Sequence, residues 1–236
     1  MRFWLVLALL LSGLAFADDD DGGNWTLDST RDGITSYVRS VPGQQTLDFR
    51  AVMRVKCDFE TSVTALADVE HYPDWFWHMK ETKILGDKDL DDIFLYLHIE
   101  GITPVEDRDV VVKAEMWQDP ISMELNMEGH SVQYEAVPSK GGIVRIPAMT
   151  AGFRVTPISP TVTEIELSGS VDPGGAIPIW ASNMFITVLP RLSLDNLRSK
   201  LAKPAYHEYL RAGRDKDARW TRLFHDFRFT TPAAAN

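Results

Sequence analysis

The segment His71-Tyr72-Pro73-Asp74-Trp75-Phe76-Trp77-His78 carries two histidines and an aspartate, which are residue types that ligate metal ions. Pro73 breaks the helical spacing that would bring these side chains to one face, and no second compact His/Asp cluster completes a ligand set. We therefore expect a packed aromatic turn and no metal site here. Trp75 is predicted to fill the core or to stand at the mouth of a binding cavity.

Three further groups of residues could take part in catalysis or in binding an anion. Arg108 and Asp109 could form a catalytic pair, but a salt bridge with turn contacts, fixing the loop before the next strand, is the favoured interpretation. Cys57 has no neighbouring histidine motif, so a small buried hydrophobe is expected instead of a nucleophile. Gly174-Gly175 suits a turn before a helix, with anion binding at that helix start as an alternative. No catalytic constellation and no cofactor site follow from these residues.

His98 lies on a predicted strand beside Phe94 and Tyr96. It could face an internal cavity as a polar anchor for a ligand, or it could be an ordinary histidine whose hydrogen bonds are satisfied within the protein. If the protein is an enzyme, His98 is the best candidate for a titratable group near the substrate.

The charge balance restricts the partners. The 236 residues suffice for one good-sized domain, and their formal net charge is -10. This acidity argues against nucleic acid, because phosphate binding needs a basic surface. It also argues against strong electrostatic docking on anionic lipid.

The N-terminal segment has the features of a secretory signal peptide. Arg2 provides a basic start, residues 3–14 are nearly all apolar, and Ala15-Phe16-Ala17 fits the small-x-small cleavage rule. The apolar run is shorter than the ~20 residues that span a bilayer. We predict a signal peptide over residues 1–17, an acidic mature N-terminus over 18–23, and a secreted, periplasmic protein. Loss of Arg2 would bring the net charge to -11.

The elements that position these residues are mostly strands. Short gaps between alternating segments leave no room for crossover helices, so an antiparallel sheet is expected. Asp58 is predicted to cap a helix that reaches about Val69 and is ended by Pro73. The predicted strands cover residues 33–38, 47–56, 93–99, 110–117, 123–128, 143–146, 152–158 and 163–168.

A long helix is predicted from Pro178 to about Arg211, with a kink at Pro190. Asn183 and Thr187 fall within its apolar arc, whereas Ser193 and Asn196 fall outside it. A buried amide without a partner costs about 1–3 kcal/mol, so we expect Asn183 to hydrogen-bond a ligand or water. The apolar members of the arc are Ile179, Trp180, Ile186, Pro190, Leu194, Leu197 and Leu201.

One long helix against one curved antiparallel sheet predicts an α+β domain. A sheet of this length can wrap around the helix and leave a space between them. Methionine packs adaptably around irregular shapes, so methionines at inward strand positions favour a space that admits a hydrophobic ligand. These methionines are Met53, Met116, Met123 and Met127.

Several short motifs follow one another in a specific order along the chain. They are Gly33-Ile34 with Tyr37, Pro73-Asp74-Trp75, Pro104 with Arg108-Asp109, Val144-Arg145-Ile146, Asp172-Pro173-Gly174-Gly175 with Ile177-Pro178-Ile179-Trp180, and Leu197-Arg198. Their order and spacing resemble the START domain family, the lipid-transfer domains related to steroidogenic acute regulatory protein. The resemblance covers about residues 24–211. It implies a helix-grip fold, an internal tunnel for one lipid-like molecule, no cofactor and no catalysis.

One position departs from the family pattern. Some animal members place a tunnel-facing arginine six residues after the arginine of Arg-Asp, and here that position is Ala114. The identity of the ligand therefore cannot be carried over from the family. The ligand-binding candidates are Trp75, His98, Met116, Met127, Asn183, Ile186, Thr187 and Pro190.

The chain beyond the predicted START-like domain, which we place at residues 24–213, forms an amphipathic tail over 214–236. Packing against the domain is one interpretation of this tail, and transient membrane contact during ligand exchange is the other. Its apolar residues Trp220, Leu223, Phe224 and Phe227 have helical spacing, with Arg219, Arg222 and Arg228 nearby.

These observations favour a monomeric protein that binds, and transfers, a lipid or other hydrophobic small molecule. Two alternatives stay open. One is an aromatase/cyclase-like enzyme acting on a hydrophobic substrate. The other is a ligand-free protein that takes part in interactions at the cell envelope.

Overall fold

The computed structural model describes residues 24–44, 46–85, 93–216, 225 and 227–229. The predicted signal peptide, the acidic segment 18–23 and the tail residues Trp220, Leu223 and Phe224 lie outside the described residues. The described residues form ten strands: β1 Thr26–Arg31, β2 Ile34–Arg39, β3 Asp48–Val55, β4 Met79–Leu85, β5 Ile93–Ile99, β6 Asp107–Gln118, β7 Leu125–Ser131, β8 Ile143–Arg145, β9 Ala148–Ser159 and β10 Val162–Asp172. The helices are α1 Phe59–Ala67, a 3₁₀ helix Val69–Asp74, α2 Ile179–Leu201 and α3 Pro204–Lys216.

All the strands belong to one curved sheet with the order β1-β2-β3-β10-β9-β7-β6-β5-β4. Neighbours in this path are antiparallel, which confirms the prediction from the short connections. The short β8 adds a parallel pairing, in which Asp109 of β6 stands opposite Arg145. The fold is therefore the α+β helix-grip architecture expected from the sequence.

Two strands were not predicted from the sequence. β1 is almost wholly exposed and lacks an apolar face, and β4 mixes charged and apolar residues. Both lie at the edges of the sheet, where one side of the strand has no neighbour in the path. Pairing with the next strand along the chain, β2 for β1 and β5 for β4, decides their conformation, and the residue pattern of β1 or β4 alone does not indicate it.

Helix α1 begins where the sequence predicted. Asp58 has an extended backbone, and its Oδ1 accepts a hydrogen bond of 2.8 Å from the backbone N–H of Thr61. Its Oδ2 accepts a second bond from the Thr61 hydroxyl. The helix ends at Ala67, and the residues up to Asp74 continue as a 3₁₀ helix that contains Pro73.

Removing this cap has a predictable cost. We expect Asp58→Ala to lower the free energy of unfolding by about 1 kcal/mol, because an N-terminal N–H of the helix loses its acceptor. Urea denaturation measures the change. Glu208→Ala, which alters an exposed acid on α3, serves as the control and should stay within about 0.5 kcal/mol of the parent. Equal stability of the two variants would contradict the capping role.

The C-terminal helical region is two helices instead of the single helix predicted to Arg211. The chain leaves α2 at Ala202 and begins α3 at Pro204. Proline lacks an N–H group and disfavours helical geometry at the preceding residue, so Pro204 starts a new helix. Pro190, the predicted kink, lies inside α2.

The buried face of α2 differs from the predicted arc in its first turns. Trp180 is 53% exposed and Asn183 is also exposed, so their placement on the buried face was wrong. Ser193, predicted to lie outside the arc, is fully buried and its hydroxyl accepts a bond from the Trp77 N–H. The second half follows the prediction, with Ile186, Pro190, Leu194, Leu197 and Leu201 buried. The side chain of Ile179 lies outside the described part of the structure.

The described tail residues lie against the domain. Phe227 and Phe229 pack on the main hydrophobic core, and the Phe229 ring lies 5.8 Å from that of Phe59. Arg228 exchanges two backbone hydrogen bonds with the side chain of Gln118. Within the described residues, no helix has both the length and the apolar character needed to cross a membrane.

Candidate ligand cavity

Helix α2 covers only part of the curved sheet. It packs against β2, β3 and β10, which form one half of the sheet. The other half curls away from the helix, and a cavity of about 290 Å³ separates them. This volume is close to the lower end of the range for small-molecule sites, which begins at about 300 Å³.

Strand alternation makes the wall of the cavity apolar. Every second residue of β5, beginning with Ile93, faces inward, and the adjacent strands contribute aliphatic, methionine and phenylalanine side chains in the same way. Helix α2 supplies Phe185, Ile186 and Leu189. The sheet wall includes Ile93, Leu95, Leu97, Ile99, Val112, Ala114, Met116, Met127, Met149, Ala151, Phe153, Leu167 and Val171.

Three of the predicted ligand-binding residues line this cavity, namely Met116, Met127 and Ile186. Ala114, the position of the family's tunnel-facing arginine, also lines it. The wall at this position is therefore a small apolar side chain. Any polar group of a ligand must be bound elsewhere.

Trp75 belongs to the core behind the cavity. It is buried, and its ring lies 4.9 Å from that of Tyr72 and 5.6 Å from that of Phe76. Those two neighbours line the cavity, whereas Trp75 supports them from behind. Its main-chain carbonyl accepts a bond from Asn196 of α2, which ties this aromatic turn to the helix.

His98 lies on the outer side of β5, so its proposed position facing the cavity was wrong. The side chains that face inward from this strand are those of Leu97 and Ile99 on either side of it. His98 Nε2 lies 2.8 Å from Oδ2 of Asp107. The polar partner of His98 is thus a carboxylate within the protein, and the best candidate for an enzymatic group is outside the cavity.

Asp107 is held in its charged form by several donors. The backbone N–H of Gly101 donates to Oδ1 at 2.9 Å, and Lys80 and His98 contact Oδ2. These interactions, the Gly101 bond first, lower the pKa of Asp107 to about 2. The carboxylate thereby fixes the loop that leads from β5 into β6.

This pKa shift predicts an acid-dependent loss of stability. A lowered pKa stabilises the fold above the ordinary aspartate pKa of 3.8, and that stability disappears as the pH falls towards 2. We expect Asp107→Asn to cost about 1–2 kcal/mol at pH 6 and to cost progressively less below pH ~4. Urea denaturation of both proteins between pH 6 and pH 3 tests this. A pH-independent difference between them would contradict it.

The polar residues predicted on α2 do not reach the cavity. Asn183 is exposed, and the Thr187 hydroxyl donates to the Asn183 carbonyl within the helix at 2.9 Å. Pro190 is buried but is outside the cavity wall. The first turns of α2 bury Ala181 on one face and expose Asn183 on another, so the amide at position 183 is hydrated by solvent.

Arg108 and Asp109 do not pair with each other, because adjacent strand residues point to opposite faces. Asp109 is buried and binds Arg145 instead, with 2.6 Å from Oδ1 to Nε and 3.2 Å from Oδ2 to Nη2. This bond raises the pKa of Arg145. Arg108 faces the other way and lines the cavity. The predicted salt bridge thus exists with a different partner, and Arg108 was missed as a cavity residue.

The turn that follows β10 also approaches Arg108. The Gly174 N–H donates to Oδ1 of Asp172, and Gly174 and Gly175 both have positive φ, which glycine adopts most readily. A side chain at Gly174 would lie 2.9 Å from the ring of Pro147. The glycines therefore let the turn approach β8 closely and bring the Gly174 carbonyl to Arg108, at 3.4 Å from Nη2.

The residues considered as metal ligands have other partners. His71 Nδ1 contacts Asp68 and the Tyr209 hydroxyl, and the Nδ1 of His78 contacts the Glu100 carbonyl. A different group, Cys57, Asp58 and His207, places its potential ligand atoms within 4.8 Å of one another. Asp58 is already the cap of α1, His207 Nε2 contacts the Leu201 carbonyl, and burial raises the pKa of the Cys57 thiol.

A helix laid over half of a curved antiparallel sheet, with an apolar cavity under it, defines a domain of the START type, and this chain carries a START-like domain. A STAR-related lipid transfer protein from Xanthomonas axonopodis is 26% identical, with a TM-score of 0.68, over 76% of this chain and 99% of that one. Human STARD10 superposes with a TM-score of 0.73 at 18% identity, over 88% of this chain and 84% of that one.

The sequence comparisons are less informative about function. An uncharacterised protein of Pseudomonas aeruginosa is 28% identical over 198 residues, which is 82% of this chain and 92% of that protein. No protein-family model matches the sequence. The similarity to human StAR-related lipid transfer protein 5, at 17% identity and a TM-score of 0.66, concerns the fold alone.

Proposed function

We propose that the protein binds one lipid or other hydrophobic small molecule in the cavity and carries it between membranes without chemical change. The observation that carries this proposal is the apolar cavity between α2 and the half of the sheet that α2 does not cover. The resemblance to lipid-transfer domains supports it. Burial of apolar ligand surface contributes about 25 cal/mol per Å² removed from water.

The route of ligand exchange is part of the same proposal. The start of α2 is exposed at Trp180 and Asn183, while Phe185, one turn further on, lines the cavity. The turn at Pro173 also contributes to the wall. We place the opening between this turn and the first turns of α2, which must separate for a ligand to enter.

Secretion belongs to the proposal and rests on the N-terminal sequence alone. A basic start, an apolar stretch and a small-x-small site support removal of residues 1–17 and export to the periplasm. Sequencing the N-terminus of protein from the fraction outside the cytoplasm tests this. The expected first residue lies at or near Asp18, and an intact N-terminus on cytoplasmic protein would contradict export.

A vesicle assay tests binding and transfer together. Ligand-free protein is incubated with donor vesicles made from a bacterial lipid extract supplemented with single-chain lipids, separated from them, and analysed by mass spectrometry before and after mixing with acceptor vesicles. We expect one unmodified lipid per protein, which then appears in the acceptor. A ligand of altered mass would indicate an enzyme instead. Protein that takes up nothing would indicate the ligand-free interaction protein.

A further inference from the structure

Arg108 is the one cationic side chain among the described residues that line the cavity. It is only 5% exposed although it carries a full charge. Buried charges in proteins are normally paired with an opposite charge, because leaving one unpaired in a low-dielectric site is costly. The contacts of this guanidinium therefore show whether its charge is compensated within the protein.

No carboxylate satisfies the guanidinium within the described residues. Nη1 donates to the main-chain carbonyl of Glu106, and Nη2 donates weakly to that of Gly174 at 3.4 Å. Nε is buried without a hydrogen-bond partner. Burial lowers the pKa of Arg108, which reflects the same loss of solvation.

The neighbouring acids are committed elsewhere or exposed to water. Asp109 binds Arg145, and Asp107 binds Lys80 and His98. Glu106, which precedes the strand, is exposed, as are the acidic wall residues Glu70, Glu100 and Glu115. Of the other acids in the wall, Asp68 is buried and bound to His71 and Tyr209, and Glu128 is half-buried beside His130. Solvent screens the exposed charges strongly, so they compensate the buried guanidinium poorly.

From these contacts we infer that the cavity takes a single-chain amphiphile with an anionic headgroup, a carboxylate or a phosphate, and that Arg108 binds that headgroup. The inference rests on the proposed function and specifies its ligand class. The free Nε–H supplies a charge-assisted donor, and a planar guanidinium suits the two oxygens of such a group. The acyl chain lies along the apolar wall formed by β5, β6 and β7.

The size of the cavity favours a ligand with one acyl chain over a ligand with two. At about 290 Å³, the cavity lies near the bottom of the range of small-molecule sites. A two-chain phospholipid would need a far larger space. Ala114 offers no polar group deeper in the wall, so the headgroup belongs at Arg108, where the Gly174 turn also approaches.

The test compares headgroups on one chain length. Ligand-free protein is titrated with dodecanoate, dodecyl phosphate, 1-dodecanol and dodecyltrimethylammonium below their micelle concentrations. We expect at least one anionic probe to bind about tenfold or more tightly than the alcohol, since a hydrogen bond to a charged group is lost with the neutral probe. The cationic probe should bind most weakly. The ratio of the affinities for dodecanoate and dodecyl phosphate then shows whether the preferred headgroup is a carboxylate or a phosphate.

Substitution of the arginine tests its role directly. Arg108→Met should lower the affinity of the preferred anion about tenfold to a hundredfold and leave 1-dodecanol within about threefold. Arg54→Met is the matched control, because Arg54 lies on the outer surface, paired with Glu164. It removes the same charge and should change neither affinity.

The outcomes separate this inference from the proposed function. Binding of the alcohol as tightly as the anions, or an unchanged anion affinity in Arg108→Met, would overturn the inference and leave hydrophobic ligand binding intact. Failure of all four probes to bind would count against both. If Arg108→Met does not fold, the headgroup preference of the parent protein decides the matter, and Arg108→Lys should retain part of it.

Discussion

Filling the cavity from its wall, by Ala114→Phe, is expected to lower the affinity for a long-chain ligand by about tenfold to a hundredfold without unfolding the protein. Ala114 lies on β6 and faces the cavity, so the new ring occupies space that a ligand would need. Inserting a larger side chain into a packed core usually costs about 1–3 kcal/mol. Here open space receives the ring, so the free energy of unfolding should change by less than about 1 kcal/mol.

Lys113→Phe is the matched control for this prediction, because Lys113 is the neighbour on the same strand and points to the opposite face. It introduces the same side chain and should leave ligand binding unchanged. Titration with dodecanoate and urea denaturation of both variants provide the two measurements. Full affinity in a folded Ala114→Phe protein would show that ligands do not bind where the cavity lies.

Loss of the buried Asp109 carboxylate is expected to destabilise the protein by about 3–5 kcal/mol, because Arg145 would keep its charge without a partner. Asp109 is 1% exposed, and the pair joins β6 to β8 at the point where these strands run parallel. Since proteins are stable by about 5–15 kcal/mol, Asp109→Ala would remove a large share of that stability.

The compensated double variant separates an unpaired charge from lost packing. Asp109→Leu combined with Arg145→Met replaces both charges by apolar groups and should recover most of the stability lost in Asp109→Ala. Denaturant unfolding measures all three proteins. A cost below about 1 kcal/mol for Asp109→Ala would mean that the buried pair contributes little.

The sequence predicted the sheet and the short helix well because their determinants are local. Alternation along β3, β6 and β10 marks one buried face, and Asp58 caps α1 through its own side chain. The family motifs also meet in space, since the Arg-Asp and Val-Arg-Ile motifs lie on the paired strands β6 and β8.

The cavity residues were harder to predict because the side of a strand or helix to which a side chain points must be known. Two of the wrong predictions, for His98 and Asn183, are of this kind. The pattern of β5 already separated Leu95 and Leu97 from His98, but polarity drew attention to the outward-facing histidine. On α2 the apolar spacing correctly predicted which residues are buried in the second half of the helix. It could not show that Asn183 is exposed while Ala181 in the same turns is buried, because that depends on which face of the helix the surrounding elements cover.

Arg108 was missed for a different reason. Its adjacency to Asp109 suggested a pair, whereas strand geometry turns the two side chains to opposite faces. The partner of Asp109 is 36 residues away at Arg145, and only the parallel pairing of β8 with β6 brings them together. The sequence could have indicated that the two side chains face opposite sides of the strand. That the buried guanidinium has no carboxylate partner and an unbonded Nε could be seen only in the three-dimensional structure.

Native mass spectrometry of protein purified without detergent from the organism that makes it tests whether the cavity holds a hydrophobic ligand. We expect the protein to carry one hydrophobic small molecule, which organic extraction removes and the empty protein takes up again. An acidic headgroup on that molecule would agree with the position of Arg108. Protein that is consistently empty, and that binds none of the four dodecyl probes, would show that the cavity does not bind hydrophobic ligands.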